Sequence, residues 1–385
     1  MPNYDFRSLS SYDFENLVRD LLQKELGVTL ESFTIGRDEG IDMRYRVDKE
    51  TQVIIQCKHF AGSSYSKLYS HLKQKELEKV RRAEPNRYIL ATSVGLTPVN
   101  KQKIMELLDP YISSERDIYG RDDLNNLLGK YPNIEKSNFK LWLTSQAILE
   151  RVLHNGIFNQ SDIEVESIQQ KIKYYVRNKT FEEAQRTLEK KHYCIIAGIP
   201  GIGKTMLAEM LSFEYLSKGY ELIKIYSDIS EAFEVINQNN KQIFFYDDFL
   251  GQTSLENKFG KNEEQKLISF IEKILRSPDK RLILTTREYI LNKAKGIYEK
   301  LNYVNYFSEE YLIHLINYTD LEKALILFNY LYFSDLLIEC KEMIHRDKNY
   351  LKIIYHRNFN PRIIETMINR ASKFNINKKI ILMKF

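Results

Sequence analysis

The sequence predicts an α/β chain of two units followed by a helical tail, and three observations carry that prediction. Near the N-terminus an amphipathic helical pattern runs into two alternating segments that read as a β-hairpin, GIDMRYRVDKETQVIIQCKHF at 40–60. Farther along, HYCIIAGIPGIGKTMLAEML sets a glycine-rich turn between an apolar run and a helix. Two more apolar runs, KQIFFYDDFLG and RLILTTRE, end in acidic and in basic residues. Strands alternating with helical patterns point to sheets that are at least partly parallel.

The first element, SSYDFENLVRDLLQKELG, opens with serines able to cap a helix and repeats apolar residues at Phe14, Leu17, Val18, Leu21 and Leu22. It stops at Gly27. Glu15 borders the apolar stripe, so its carboxylate is directed to the edge of the core. In the hairpin, Asp42 starts the first strand, and the second carries Gln56 and Lys58 beyond the apolar Val53, Ile54 and Ile55. Residues two apart on a strand share a face, so the amide and the ammonium stand side by side. Asp42 joins them only if the register pairs it with an even-numbered residue, because a one-residue slip turns it away. Carboxylate and amide oxygens are hard ligands suited to Mg²⁺, and a lysine beside them can act on the attacking water and offset charge on a phosphate. The set therefore has the makings of a Mg²⁺-dependent phosphodiesterase.

Next come SKLYSHLKQKELEKVRRA, read as a helix, and the short strand RYILAT. From Lys67 to Arg87 there are seven Lys or Arg against three Glu, with Tyr65, Tyr69 and His71 in or beside the run. That charge suits a phosphate backbone, and a solvated helix face would look much the same. A connector follows and ends in the turn-rich NGIFNQS.

The second unit begins with the pattern GxxxxGKT. Gly198, Gly201 and Gly203 allow backbone N–H groups close to phosphate oxygens, and the helix N-terminus adds partial positive charge. Lys204 reaches the β- and γ-phosphates and the Thr205 hydroxyl binds Mg²⁺. With strand and helix flanking it, the motif specifies a nucleoside triphosphate site. Asp247 and Asp248 follow an apolar strand, where Asp247 can hold the metal through water and Asp248 can orient an attacking water. Arg287 ends the third strand, on the side of the sheet where phosphates bind.

Composition agrees with a globular chain. Of its 385 residues 43% are hydrophobic and 28% charged, and the net charge of +5 permits an acidic partner without requiring one. Cys57, Cys194 and Cys340 lie far apart and none begins a CxxC, so neither a disulfide framework nor a zinc site is indicated, which fits a reducing cytoplasm. Neither an export signal nor a membrane span is expected.

GIPGIGKT, FFYDD and LTTRE, in that order over about 160–310, resemble the STAND branch of P-loop NTPases, and the tail LYFSDLLIE and HRNFNPRIIE resembles the end of a bacterial novel STAND subclass. The resemblance implies a nucleotide-controlled switch, normally off, that forms homo-oligomers when a sensor is engaged, with ATP the expected nucleotide and His356 and Arg362 placed to read the phosphates from a helical lid. The FE of the first helix, GRDEGID and IIQCK resemble the Mrr-type restriction endonuclease domain of the PD-(D/E)xK superfamily, in which glutamine replaces the usual second acid. That resemblance implies Asp42 and Gln56 as metal ligands, with the Cys57 carbonyl as a further one, Lys58 as the catalytic lysine and Glu15 as a supporting acid.

The expected organisation is therefore a restriction-endonuclease-like α/β/α domain at 1–125, a helical connector at 126–160, a P-loop NTPase α/β domain at 161–310 and a helical lid at 311–385. The expected function is a Mg²⁺-dependent endonuclease for double-stranded DNA, under nucleotide control, in bacterial antiviral defence or restriction. Two alternatives stand beside it: a switch whose N-terminal domain binds DNA or a partner without cutting, and an ATP-driven translocase with an attached nuclease. STAND relatives usually carry a long repeat array that senses the invader, and this chain ends soon after the lid. A separate sensor protein, a phage trigger, sensing by the lid and connector, and a truncated gene product all stay open.

Overall fold

A computed structural model describes residues 3–32, 43–46, 52–143, 167–168, 170–251, 261–297, 306–315 and 318–374. Contacts divide the chain into two units, Met1–Leu149 and Glu150–Phe385.

In the first unit, helix α1 (Ser11–Leu26) starts at a capping box in which the Ser10 hydroxyl accepts from the Asp13 N–H and the Asp13 carboxylate accepts from the Ser10 N–H. It ends at Gly27, whose φ of 68° suits a residue without Cβ. All five apolar residues of its predicted stripe are buried. The sheet has the order β1 (Glu31–Ser32), β2 (Met43–Arg46), β3 (Gln52–Lys58), β4 (Arg87–Thr92), β5 (Ile118–Tyr119). Pairing is antiparallel from β1 to β3 and parallel from β3 to β5.

Strand β3 is covered on both faces, which explains its nearly unbroken apolar run. Val53, Ile55 and Cys57 pack into the core with α1, while Ile54 packs into a second core with Leu68, Leu72, Val80 and Ile104. The unit is thus a three-layer α/β/α sandwich. The segment expected as one helix is divided into α2 (Tyr65–His71), a π turn (Leu72–Glu76) and α3 (Leu77–Ala83), and α4 (Pro98–Leu107) follows β4.

The limit expected at 125 is too early. Helix α5 (Arg121–Lys130) buries Leu124, Leu127 and Leu128 in the α1 core, and Leu141 of α7 (Phe139–Leu143), which follows α6 (Pro132–Ser137), joins them. The first part of the expected connector is therefore core of the first unit.

The second unit holds an all-parallel sheet with spatial order β10, β6, β9, β8, β7. Along the chain come α8 (Lys179–Lys191), β6 (Tyr193–Gly198), α9 (Lys204–Ser217), β7 (Glu221–Ile225), α10 (Ser230–Val235), β8 (Gln242–Tyr246), α11 (Lys261–Leu275), β9 (Lys280–Arg287), α12 (Glu288–Ile297) and β10 (Leu312–Leu315). Strand β10 completes this sheet beyond position 310, where the NTPase part was expected to end.

The remaining helices, α13 (Asp320–Tyr332), α14 (Ile338–His345), α15 (Asn349–Ile354) and α16 (Pro361–Phe374), share a small core. Tyr174 and Val176 pack onto it from upstream of β6, Tyr174 stacking on Tyr330 at 4.9 Å. Among the described residues no helix is long and apolar enough to cross a membrane.

Candidate functional site

In the second unit, a cavity of about 570 Å³ gathers the groups expected at a nucleotide: Gly201, Gly203, Lys204 and Thr205 from the loop, Asp247 and Asp248 from the end of β8, Arg287 from β9 and Arg362 from α16. Strand order explains the convergence. Strand β9 lies between β6 and β8, with Arg287 in register with Gly198, so the acidic and basic ends meet at the loop.

The Lys204 ammonium donates to the Gly198 and Ile199 carbonyls at 3.1 and 3.0 Å. Burial holds it below the usual lysine range, Asp248 opposes that shift and Arg287 adds to it. The Thr205 hydroxyl donates to the Asp247 carboxylate at 3.1 Å. Thr285, which the sequence did not single out, donates to the same carboxylate and accepts from the Asp248 N–H at 2.9 Å. It fixes the two acids, and Asp248 takes a left-handed φ of 46°.

The C-terminal helices are bonded to the loop itself. The Tyr318 hydroxyl donates to the Ile202 carbonyl at 2.7 Å, and the Asn360 amide donates to the Pro200 carbonyl at 2.9 Å. The glycines are needed here for more than phosphate access. With φ of +80° and +111°, Gly201 and Gly203 would direct a Cβ to 2.6 Å from Asn360 Oδ1 and 2.9 Å from the Tyr318 hydroxyl. His356 does not line the cavity. It is exposed, and its Nδ1 accepts from the Asn358 N–H.

In the first unit, Gln56 is buried at 4% exposure, and its neighbour on the same face, Lys58, ends β3. The Lys58 carbonyl accepts from the Thr92 hydroxyl at 2.8 Å, which ties this end of β3 to β4. The described part of the hairpin pairs Arg44 with Ile54 and Arg46 with Gln52, even with even. Asp42 lies outside the described residues. Glu15 stands half-buried on α1, which packs against the odd-numbered face of β3, and the Cys57 side chain belongs to that core.

The carboxylate that meets the Lys58 ammonium is Glu76, at 3.0 Å, from the π turn. Sequence reasoning missed it, although a signal was there. Leu68, Leu72, Glu76 and Val80 recur every fourth residue, and all four are buried. Nearby, Lys67, Lys73, Lys75, Lys79, Arg81 and Arg82 are exposed, whereas Arg87 is held by Asp117. Among the described residues no group of three or more His, Cys, Asp or Glu converges as a metal site.

Comparison with known proteins finds a match within each unit. Residues 6–98 match the family model described as Restriction endonuclease, of the Mrr catalytic type, and residues 175–333 match Novel STAND NTPase 3. Among curated proteins, "Uncharacterized protein y4cD" of Sinorhizobium fredii is 44% identical over 154 residues, which is 40% of this chain and 24% of that protein. The chain thus spans about a quarter of that relative's length. Solved structures similar to it include AMPPCP-bound DnaA from Aquifex aeolicus, at 18% identity and a TM-score of 0.38, covering 55% of this chain and 66% of that one. A mutant RuvB from Thermotoga maritima aligns at 18% identity and a TM-score of 0.35, covering 54% and 67%. The chain thus carries a segment similar to Mrr-type restriction endonucleases followed by a P-loop segment similar to the novel STAND NTPases.

Proposed function

We propose that this chain is a Mg²⁺-dependent DNA endonuclease of bacterial antiviral defence or restriction, acting in the cytoplasm, whose nuclease domain is switched by ATP at the NTPase domain. The observation that carries the reading is Lys58 on the same face of β3 as buried Gln56, at the strand end and within the segment matched to the endonuclease family. The nucleotide cavity, with loop, acids and C-terminal helices bonded together, supports control by a switch.

The donor chemistry fits a hard cation at both places. Thr205 and Asp247 offer a hydroxyl and a carboxylate already 3.1 Å apart, and the nuclease site would use the Gln56 amide oxygen with the Asp42 carboxylate. The proposal requires Asp42 to keep the even-to-even parity of the described hairpin. A Mg²⁺ ion bound there supplies a water of lowered pKa and neutralises phosphate charge. Lys58 offsets the negative charge that builds on the scissile phosphate, whereas Glu15, on the helix that covers the opposite face of β3, is not assigned a role there. The exposed lysines and arginines of α2, α3 and the π turn hold the DNA backbone without reading its sequence.

In the second unit Lys204 leaves the loop carbonyls for the β- and γ-phosphates. Arg287 and Arg362 read the γ-phosphate, and Asp248 orients the attacking water. Nucleotide exchange frees the C-terminal helices, and oligomerisation of the chain brings nuclease domains together, in answer to a phage trigger or a separate sensor protein.

The test is cleavage of linear and supercoiled double-stranded DNA with Mg²⁺, with and without ATP, by wild type, Lys58→Ala and Lys204→Ala. Cleavage should fall about 10²–10³-fold in Lys58→Ala, since one preorganised donor is lost, while DNA binding persists. Loss in Lys204→Ala as well places cleavage under nucleotide control. A second reading, a switch that holds DNA without cutting it, is favoured by the engagement of Lys58 with Glu76. It predicts nucleotide-dependent DNA binding and intact DNA under every condition.

A further inference from the structure

Within the core formed by Leu68, Leu72 and Val80, the inward position at 76 holds a carboxylate at 2% exposure. Its Oε1 atom lies 3.0 Å from the Lys58 ammonium, 3.2 Å from Lys79 and 3.6 Å from His71 Nε2. The helix departs from its ordinary ladder at this point. The Leu77 N–H bonds to the Leu72 carbonyl and closes a π turn, a widening that adds one residue and recurs at functional sites. Burial pushes the Glu76 carboxyl up, but Lys58 and Lys79 outweigh it and the group stays below the usual carboxylate range. It is therefore charged at neutral pH.

A lysine carries its charge on a flexible four-carbon stem, and a catalytic lysine needs that charge at one place. The Lys58 side chain is 13% exposed and the exposed Lys79 is 46%, so the buried carboxylate is shared between an inner and an outer cation. We propose that Glu76 is the positioning residue of Lys58, a carboxylate on a π turn that tethers the ammonium on the face of β3 that carries Gln56, until a phosphate takes its place. The proposal rests on the nuclease reading for its catalytic consequence, but the tether itself does not. A purely structural pair would stabilise the fold and leave the turnover of folded protein unchanged. A positioning residue acts on turnover without acting on DNA affinity.

The experiment uses the full chain with Glu76→Gln, which keeps the shape and removes the charge, and Glu76→Asp, which keeps the charge on a shorter stem. Thermal unfolding checks that each variant folds. Labelling of Lys58 by an amine-acylating reagent, read by mass spectrometry against exposed Lys73, reports how free the ammonium is. Cleavage of linear DNA with Mg²⁺ and ATP gives kcat and KM. The expected result is several-fold faster labelling of Lys58 in Glu76→Gln, a fall in kcat of about 10²-fold with KM unchanged, and partial recovery in Glu76→Asp. Unchanged Lys58 labelling in a folded Glu76→Gln protein overturns the tether, and so does unchanged kcat. If wild type cuts no DNA, the nuclease reading is what fails, and the labelling alone decides the tether.

Discussion

The nucleotide cavity draws its loop, its acids and Arg287 from three short stretches of sequence, each at the end of one strand, whereas the proposed nuclease site at the end of β3 depends on a hairpin register and on Glu76 from a helix farther along. Under the proposed function the contrast follows from what each site would hold. A triphosphate is cradled by successive backbone N–H groups, which have to be contiguous, so the motif is written in one piece. A phosphodiester and a metal are held by side chains from separate elements, and these meet only if the pairing is right.

The contrast can be tested at three places. The largest effect is expected from Lys204→Ala. It removes charge-assisted hydrogen bonds worth about 1.5–3 kcal/mol, so ATP affinity by calorimetry should fall about 10- to 100-fold while DNA affinity stays unchanged. An equal fall in DNA affinity would mean that the two units do not keep separate ligands.

A smaller effect is expected where the C-terminal helices touch the loop. Tyr318→Phe and Asn360→Ala each remove one hydrogen bond to a loop carbonyl, worth roughly 0.5–1.5 kcal/mol. Release of a fluorescent ATP analogue in stopped flow should speed up several-fold. Unchanged release would reduce these bonds to packing.

The smallest is a difference in acid sensitivity. His59 stacks on Phe14, and its Nε2 lies 2.9 Å from the Leu9 carbonyl. Burial holds its pKa below 6.5, against the opposing Leu9 carbonyl and Asp13. The folded state thus favours neutral imidazole and the unfolded chain takes up the proton first. The stability this contributes is full above pH about 6.5 and is lost as pH falls through the histidine range. Urea unfolding of the first unit between pH 7 and 5 should show that loss in wild type, and a flatter dependence in His59→Phe. Equal slopes would remove His59 as the cause.

Much of the architecture was legible because it depends on local periodicity and punctuation. Helix α1 was readable from its serines, stripe and Gly27, and β6, β8 and β9 from apolar runs with charged ends. Strand order was not, since nothing local says that β9 lies between β6 and β8, and the bridging role of Thr285 follows only from that order. Strand β7, ELIKI, mixes Glu221 and Lys224 into an edge position, which weakened its pattern. The second half of helix α5 was placed in the connector because the turn-rich, polar stretch that follows hid its pattern, yet Leu127 and Leu128 join Leu124 in the core with α1. Glu76 was hidden by the charges around it, since among so many Lys and Glu only the spacing from Leu68 and Leu72 distinguishes a carboxylate that points inward.

The first glycine of the loop motif has a consequence for reading other chains. Gly198 is in register with Leu315 on one side and Arg287 on the other, and a Cβ there would stand 2.6 Å from the Leu315 carbonyl oxygen. The adjoining strand therefore forbids a side chain before any phosphate is considered. A relative bearing alanine or a larger residue at this position must set its loop strand and the adjoining edge strand differently from the spacing seen here, so one letter of its sequence reports on the edge of its sheet.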